Sequence, residues 1–371
     1  MKLTRRQSLM SLITTALWQW LPRSARAADK NYASFNVAFA TQIAIPSLTA
    51  FESAAAALVK ATDAFQQKPD QAGFESVRAA FDHVSDAWMG VQLLRFGPLS
   101  QGQRLDRISY WPERRSIIDK QLAAFVSAGD KSKLEVASFA HASVAVQGLA
   151  ALERLLYDGD NPLGRYTDGS PAASYRSALI LAIARNLEQI AKEARTAWQD
   201  LALKLAKGDQ GGFGATQVEA TGQIYAGLLT NMQIVGDQKI GLALGKGADL
   251  AKPKQAEQWR AGRSLHNIAL NLKAARQAVI GGSSGSFDSF LTAPADTDIK
   301  IRLVQAFDAC DQAVTEIKQP LDRAVTDDNG GRRQVEQLLV KVNQLRDILT
   351  QEMPKAIGIT LGFNDLDGDG S

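Results

Sequence analysis

In "SVAVQGLAALERLLYDGD", Ser143 to Asp160, one carboxylate stands inside an apolar run. At helical spacing Glu153 shares its face with Leu149, Ala150 and Tyr157, which makes it at least half buried. A carboxylate so placed is desolvated and must take up a proton or find an arginine, a hydrogen-bond donor or a cation. Arg154 is adjacent in sequence and points elsewhere, so the partner has to come from another helix or loop. A structural ion pair to an arginine and a ligand or metal site both satisfy that demand.

A second concentration of chemistry lies in Leu94 to Arg115, where Gly97, Pro98, Gly102 and Pro112 interrupt the helical pattern. The segment carries Arg95, Arg104, Arg107, Arg114 and Arg115 beside Phe96, Tyr110 and Trp111. Guanidinium groups from here could neutralise Glu153, bind a carboxylate, phosphate or haem propionate, or stack on Trp88 and Trp111 to fix the loop. Arg95, Arg107, Trp111 and Arg115 are the ligand-binding candidates. At the other end of the chain, Asp365, Asp367 and Asp369 alternate as oxygen ligands do in a calcium loop, but no twelfth-position glutamate follows. These three are a weak cation site, with a solvated acidic tail as the plainer alternative.

Other chemistries find little support. The three histidines, His83, His141 and His266, form no H-E-x-x-H, and a zinc hydrolase needs about three protein ligands around an activated water. There is no G-x-S-x-G, "GGSSGSF" lacks the lysine of a phosphate loop, and Cys310 sits on a helical pattern where a packed, inert thiol is expected. With 42 basic against 39 acidic residues and no long basic block, nothing points to nucleic acid.

The elements that must position these groups are helical. A 371-residue chain with 45% hydrophobic and 22% charged residues is an ordinary globular composition. Its periodicity is that of helices nearly throughout, so the expected fold class is all-α. Helices are expected at about 31–65 with a bend at Pro46, then 70–94, 117–128, 133–157 and 171–205. A second set follows at about 215–244, 253–280, 295–326 and 332–357. Residues 207–214, "KGDQGGFG", place four glycines in eight positions and read as a linker. The expected organisation is thus two helical-bundle domains: 28–206, with Glu153 on a motif helix 133–157, and 215–371. A faint similarity of "LERLLYDG" to "AARQAVIGG" leaves open a tandem duplication of a four-helix bundle.

Residues 1–27 read as a signal peptide: a basic start, a short apolar stretch from Leu9 to Leu21, and Ala25-Arg26-Ala27 at the cleavage position. Arg5-Arg6 leaves Sec and twin-arginine export equally open. The apolar stretch is too short to span a bilayer comfortably, no transmembrane span is expected in the mature chain, and the expected destination is a bacterial periplasm.

Gly148-Leu149-Ala150-Ala151-Leu152-Glu153 resembles the G-x-H-x-x-E motif of the imelysin family of exported, iron-regulated bacterial proteins, with Ala150 where that motif has histidine. "AWMGVQLLRFGP", "RISYWPERR", "GRSLHNIALNL" and the ending "LGFNDLDGDG" look like the family's other blocks, so the resemblance runs the length of the mature chain. It implies an all-helical, two-domain periplasmic or membrane-associated protein of iron acquisition, with a site near the motif helix where the domains meet. Asn267, in the third block, joins the expected ligand-binding residues. The family carries a metallopeptidase label, which the missing histidine argues against. The expected function is therefore binding of a cation, such as iron or another divalent ion, or of an iron-bearing partner, without turnover. Its partners would be periplasmic or outer-membrane iron-uptake proteins. The alternatives are a metallopeptidase with an unconventional metal site, and a periplasmic interaction scaffold.

Overall fold

The computed structural model describes residues 30–113 and 116–360, and every regular element among them is helical. The signal-peptide residues 1–27, Arg114, Arg115 and the three aspartates of the C-terminal tail lie outside the described residues.

Helix α1, Tyr32–Gln67, is long and apolar enough by length and composition to cross a membrane. Here Leu48, Phe51, Leu58 and Phe65 are fully buried against protein. It widens into a π-turn over Ala40–Ala44, just before Pro46, whose missing N–H leaves the carbonyl of Gln42 without its usual donor. Helix α2, Gln71–Val91, starts at Asp70, whose carboxylate caps the Gly73 N–H at 2.8 Å. After the short α3, Arg104–Ile108, come α4, Ile117–Ala128, and α5, Gly148–Tyr157. Helix α6, Pro171–Ala206, runs 36 residues, opened by the Ser170 cap and Pro171 at its first position. Helices α1, α2 and α6 pack together, and α5 lies against α2 and α6.

The second half contains α7, Gln217–Gln233, prolonged through a π-turn at Ile234–Ile240. It is followed by α8, Ser264–Ile280, α9, Thr297–Glu316, and α10, Gly331–Asp347. Helix α8 packs on α2 as well as on α9, and the start of α1 packs on α7, so buried apolar residues of both halves form a single contiguous core. Residues 207–214 leave the helical path through four glycines at positive φ, and Phe213 ties the stretch down by stacking on Phe96 with ring centroids 5.4 Å apart.

Three expected helices are shorter than their periodicity predicts; α9 ends at Glu316 rather than near residue 326, as the chain leaves the helical path at Ile317 ahead of Pro320. The motif helix starts at Gly148 rather than at residue 133, and the preceding chain is a series of short turns capped by Asp130 and Ser143. Gly148 has φ +71°, a left-handed turn that a helix arriving from upstream cannot pass. Likewise α8 starts at Ser264, because Gln258 at φ +53° and Gly262 at φ +68° bend the segment before it into a compact loop.

Candidate functional site

That loop explains Glu153. The turn at Gln258 aims two consecutive backbone N–H groups, from Arg260 at 2.9 Å and Ala261 at 3.2 Å, at one carboxylate oxygen of Glu153. Successive amides arranged in this way form a small anion nest. The partner thus comes from another element, as its burial requires, but it is loop backbone rather than a guanidinium. Arg154 is engaged elsewhere, with Glu113 at 2.8 Å, Asp119 at 2.7 Å and the Ala150 carbonyl at 3.0 Å.

Glu153 is only 3% exposed. Burial pushes its carboxyl up to about 7, opposed by the charges of Arg260 and Arg154 and by the two amides. Near neutral pH it therefore exchanges a proton. Because its folded value lies above the unfolded value of 4.5, its contribution to stability is fully present below about pH 4.5 and is lost as pH rises through 7. The loss is about 3 kcal/mol by linkage. Glu153→Gln, which keeps an acceptor for both amides, should flatten this dependence. The expected result is that mutant minus wild-type unfolding free energy rises between pH 5 and pH 8; a constant difference across that range would contradict the shift.

Ala150 and Glu153, three apart on α5, both line a cavity of about 560 Å³. Its other walls are the Ser109–Glu113 segment and the Lys254–Arg260 loop, so the cavity lies where the two halves of the chain meet. Trp111 stands on its wall and donates its indole N–H to the Gln255 carbonyl at 3.3 Å. Across from it, the Arg260 guanidinium stacks on Trp259 at 4.6 Å and pairs with Asp158, and Lys254 approaches the same ring at 5.7 Å.

The remaining candidates divide. Arg95 lines a small neighbouring cavity with Trp111 and Glu257; burial pushes the Lys239 ammonium below its ordinary value against the pull of Glu257, and the charge of Arg95 adds a little to that lowering. Arg107 does not line the Glu153 cavity: its guanidinium donates to the Gln147 side chain at 3.1 Å and to Asn186 at 2.7 Å, which ties α3 to the start of α5 and to α6. Asn267 is fully buried and donates to the Gln258 side chain at 3.0 Å, supporting the nest loop from behind. All three histidines are exposed, and His266 contacts Asp86 at 3.0 Å. Burial pushes the Cys310 thiol up to about 12, so it is inert as expected.

Residues not singled out from sequence complete the site. Glu257 lines the cavity and is 2.6 Å from Lys239, both almost fully buried. Lys239 also reaches Asn271 at 2.6 Å, and Asn271 donates to the Met89 carbonyl and the Gln92 side chain of the first half. The signal available was the polar cluster "EQWR", Glu257 to Arg260, shortly before α8, together with Lys239 among the polar residues of the α7 extension.

A resident metal ion does not fit these donors. Ala150 offers no ligand atom, one oxygen of Glu153 is occupied by two amides, and Glu113, Asp119, Asp158 and Glu257 each face an arginine or Lys239. Among the described residues no three of His, Cys, Asp and Glu gather as a metal site would need.

Comparison with known proteins agrees with the architecture. The chain is similar to an imelysin-like protein from Psychrobacter arcticum 273-4, with a TM-score of 0.74 and 18% identity over 91% of this chain and 99% of that one. A protein described as an iron-regulated protein A precursor from Parabacteroides distasonis ATCC 8503 gives a TM-score of 0.61 and 17% identity, over 89% and 96% of the two chains. Among curated proteins no sequence matches. The family model for imelysin, labelled as peptidase family M75, matches residues 44–350, across both halves and through the Glu153 cavity. The chain belongs to the imelysin family.

Proposed function

We propose that this is an exported protein of iron acquisition that binds an iron-bearing ligand in the Glu153 cavity and does not turn it over. The observation that carries this reading is the composition of the cavity wall. A buried carboxyl able to hold a proton at neutral pH faces a space bounded by Trp111, Trp259, Arg260 and Lys254, which suits an iron complex whose metal arrives with its own anionic or aromatic ligands. The donor set does not suit a bare cation. Export is supported by the basic and then apolar N-terminus, and the description of the Parabacteroides neighbour as an iron-regulated precursor is in keeping with both parts of the proposal. Its partners would then be periplasmic or outer-membrane iron-uptake proteins.

Titration of the mature protein with ferric citrate, followed by calorimetry, tests this. Glu153→Ala should weaken binding by about tenfold or more with helicity unchanged, the loss expected for one charge-assisted hydrogen bond. Equal binding by mutant and wild type would remove Glu153 from the site. Metal-dependent cleavage of casein by the wild type would replace the proposal with the peptidase reading.

A further inference from the structure

Next to the Glu153 cavity, with Asp119, Arg154 and Asp158 in the wall common to both, lies a larger cavity of about 930 Å³. It is bounded by α4, the end of α5 and the start of α6, and its wall is mainly apolar, with Leu122, Val126, Leu155 and Tyr175 among its residues. Two half-buried arginines open onto it. Arg165 donates to the carbonyls of Arg154 at 3.5 Å and Asp158 at 3.3 Å, and Arg176 donates to the carbonyl of Arg165 at 3.1 Å. Neither has a carboxylate within 4.0 Å among the described residues, nor does Lys131 at the rim. The Nε of Arg176 is buried without any hydrogen-bond partner.

This is an unusual state for such groups. A guanidinium taken partly out of water is ordinarily matched by an acid, and a buried donor left unpaired is destabilising. The two acids on the wall do not supply the match, because Asp119 is bound to Arg154 and Asp158 to Arg260. Asp168 feels the charge of Arg176 but spends its carboxylate on the Ser170 amide at 2.8 Å. The first turn of α6 also faces the cavity through Ser170, Pro171, Ala172 and Ser174, and carries no acidic residue, so the helix adds positive potential to that of the arginines.

We infer that the cavity between α4, α5 and α6 is a second binding site, which takes a small organic anion with an apolar body, such as a medium-chain carboxylate. The carboxylate meets Arg176 and Arg165 beneath the first turn of α6, and the hydrocarbon lies on Leu122, Val126 and Leu155. A site of this volume falls in the range that encloses small ligands. It is separate from the Glu153 cavity, divided from it by Arg154 and its two acids, and does not depend on the function proposed for that cavity.

Calorimetric titration of the full mature chain with octanoate, and in parallel with 1-octanol, tests the inference. Octanoate is expected to bind about tenfold or more tightly than octanol, the advantage of charge-assisted hydrogen bonds over a neutral head. Arg176→Gln should remove that advantage and leave octanol binding unchanged. Ala172→Asp keeps the test sound should Arg176→Gln not fold, since an acid in the first turn favours the helix while repelling the ligand. Glu153→Gln should leave octanoate binding as in the wild type. Equal affinity for acid and alcohol, octanoate binding that survives both Arg176→Gln and Ala172→Asp, or no octanoate binding up to its solubility would each overturn the assignment.

Discussion

Gly148→Ala should lower the stability of the protein by about 4 kcal/mol and its melting temperature by roughly 6 °C, while leaving every side chain of the Glu153 cavity chemically intact. Two effects add. Gly148 has φ +71°, which an alanine adopts only under strain of about 1–3 kcal/mol. In addition, a Cβ there would sit 2.5 Å from the carbonyl oxygen of Arg107 and closer still to that of Ile108, and both are backbone atoms that cannot rotate away. The glycine of the family motif is thus a contact point: it lets α3 and the chain leading to Trp111 lie directly on the start of α5. Thermal unfolding followed by circular dichroism measures the effect, and a melting temperature within about 2 °C of wild type would show that the backbone there yields easily.

The second large effect belongs to Lys239 and Glu257. Breaking a buried ion pair by removing one partner leaves an uncompensated charge, so Lys239→Met or Glu257→Gln alone should each cost about 3–5 kcal/mol. The double substitution should be less damaging than the sum of the two, since it leaves neither charge unpaired. Asn271, held between Lys239 and the carbonyl of Met89, also loses a partner in Lys239→Met, which makes that variant the more severe. Denaturant unfolding of the four proteins measures the coupling. Strict additivity would mean that the two charges do not stabilise one another. The pair matters for the site because Glu257 precedes Gln258 in the loop that presents its amides to Glu153.

The helical class and the burial of Glu153 were legible in sequence because each depends on local pattern: period in one case, a lone acid on an apolar face in the other. The start of α5 was not, since Lys133 to Gln147 has helix-compatible composition, yet its backbone leaves the helical region at Glu135, Ser143 and Gln147 and then turns left-handed at Gly148, where it packs against Ile108. Arg107 and Asn267 illustrate a second limit. Both are polar groups that sequence assigned to the site, and both donate to other side chains, Gln147 and Asn186 in one case and Gln258 in the other. Residue type shows that a group needs a partner; which partner it finds is decided by how elements from different parts of the chain pack together. Glu153 meets the amide of Arg260 across 107 residues, and Lys239 meets the sulfur of Met89 across 150.

The clasp between the beginning and end of the described chain has a kinetic consequence. The Tyr32 hydroxyl donates to the Ile357 carbonyl at 2.9 Å, a separation of 325 positions, and Lys30 donates to the Ala356 carbonyl beside it. During vectorial synthesis the first helix therefore waits for nearly the whole polypeptide before its opening turn acquires those acceptors. Long-range closure of this kind is slow, and although α2 and α6 cover most of α1 early, its opening residues Tyr32 and Phe35, which pack on Phe287 and Phe290, stay uncovered in the meantime. That opening turn is the part of α1 most exposed to aggregation over the interval, so a holding chaperone that recognises it would have its greatest effect on yield before Ala356 and Ile357 are made.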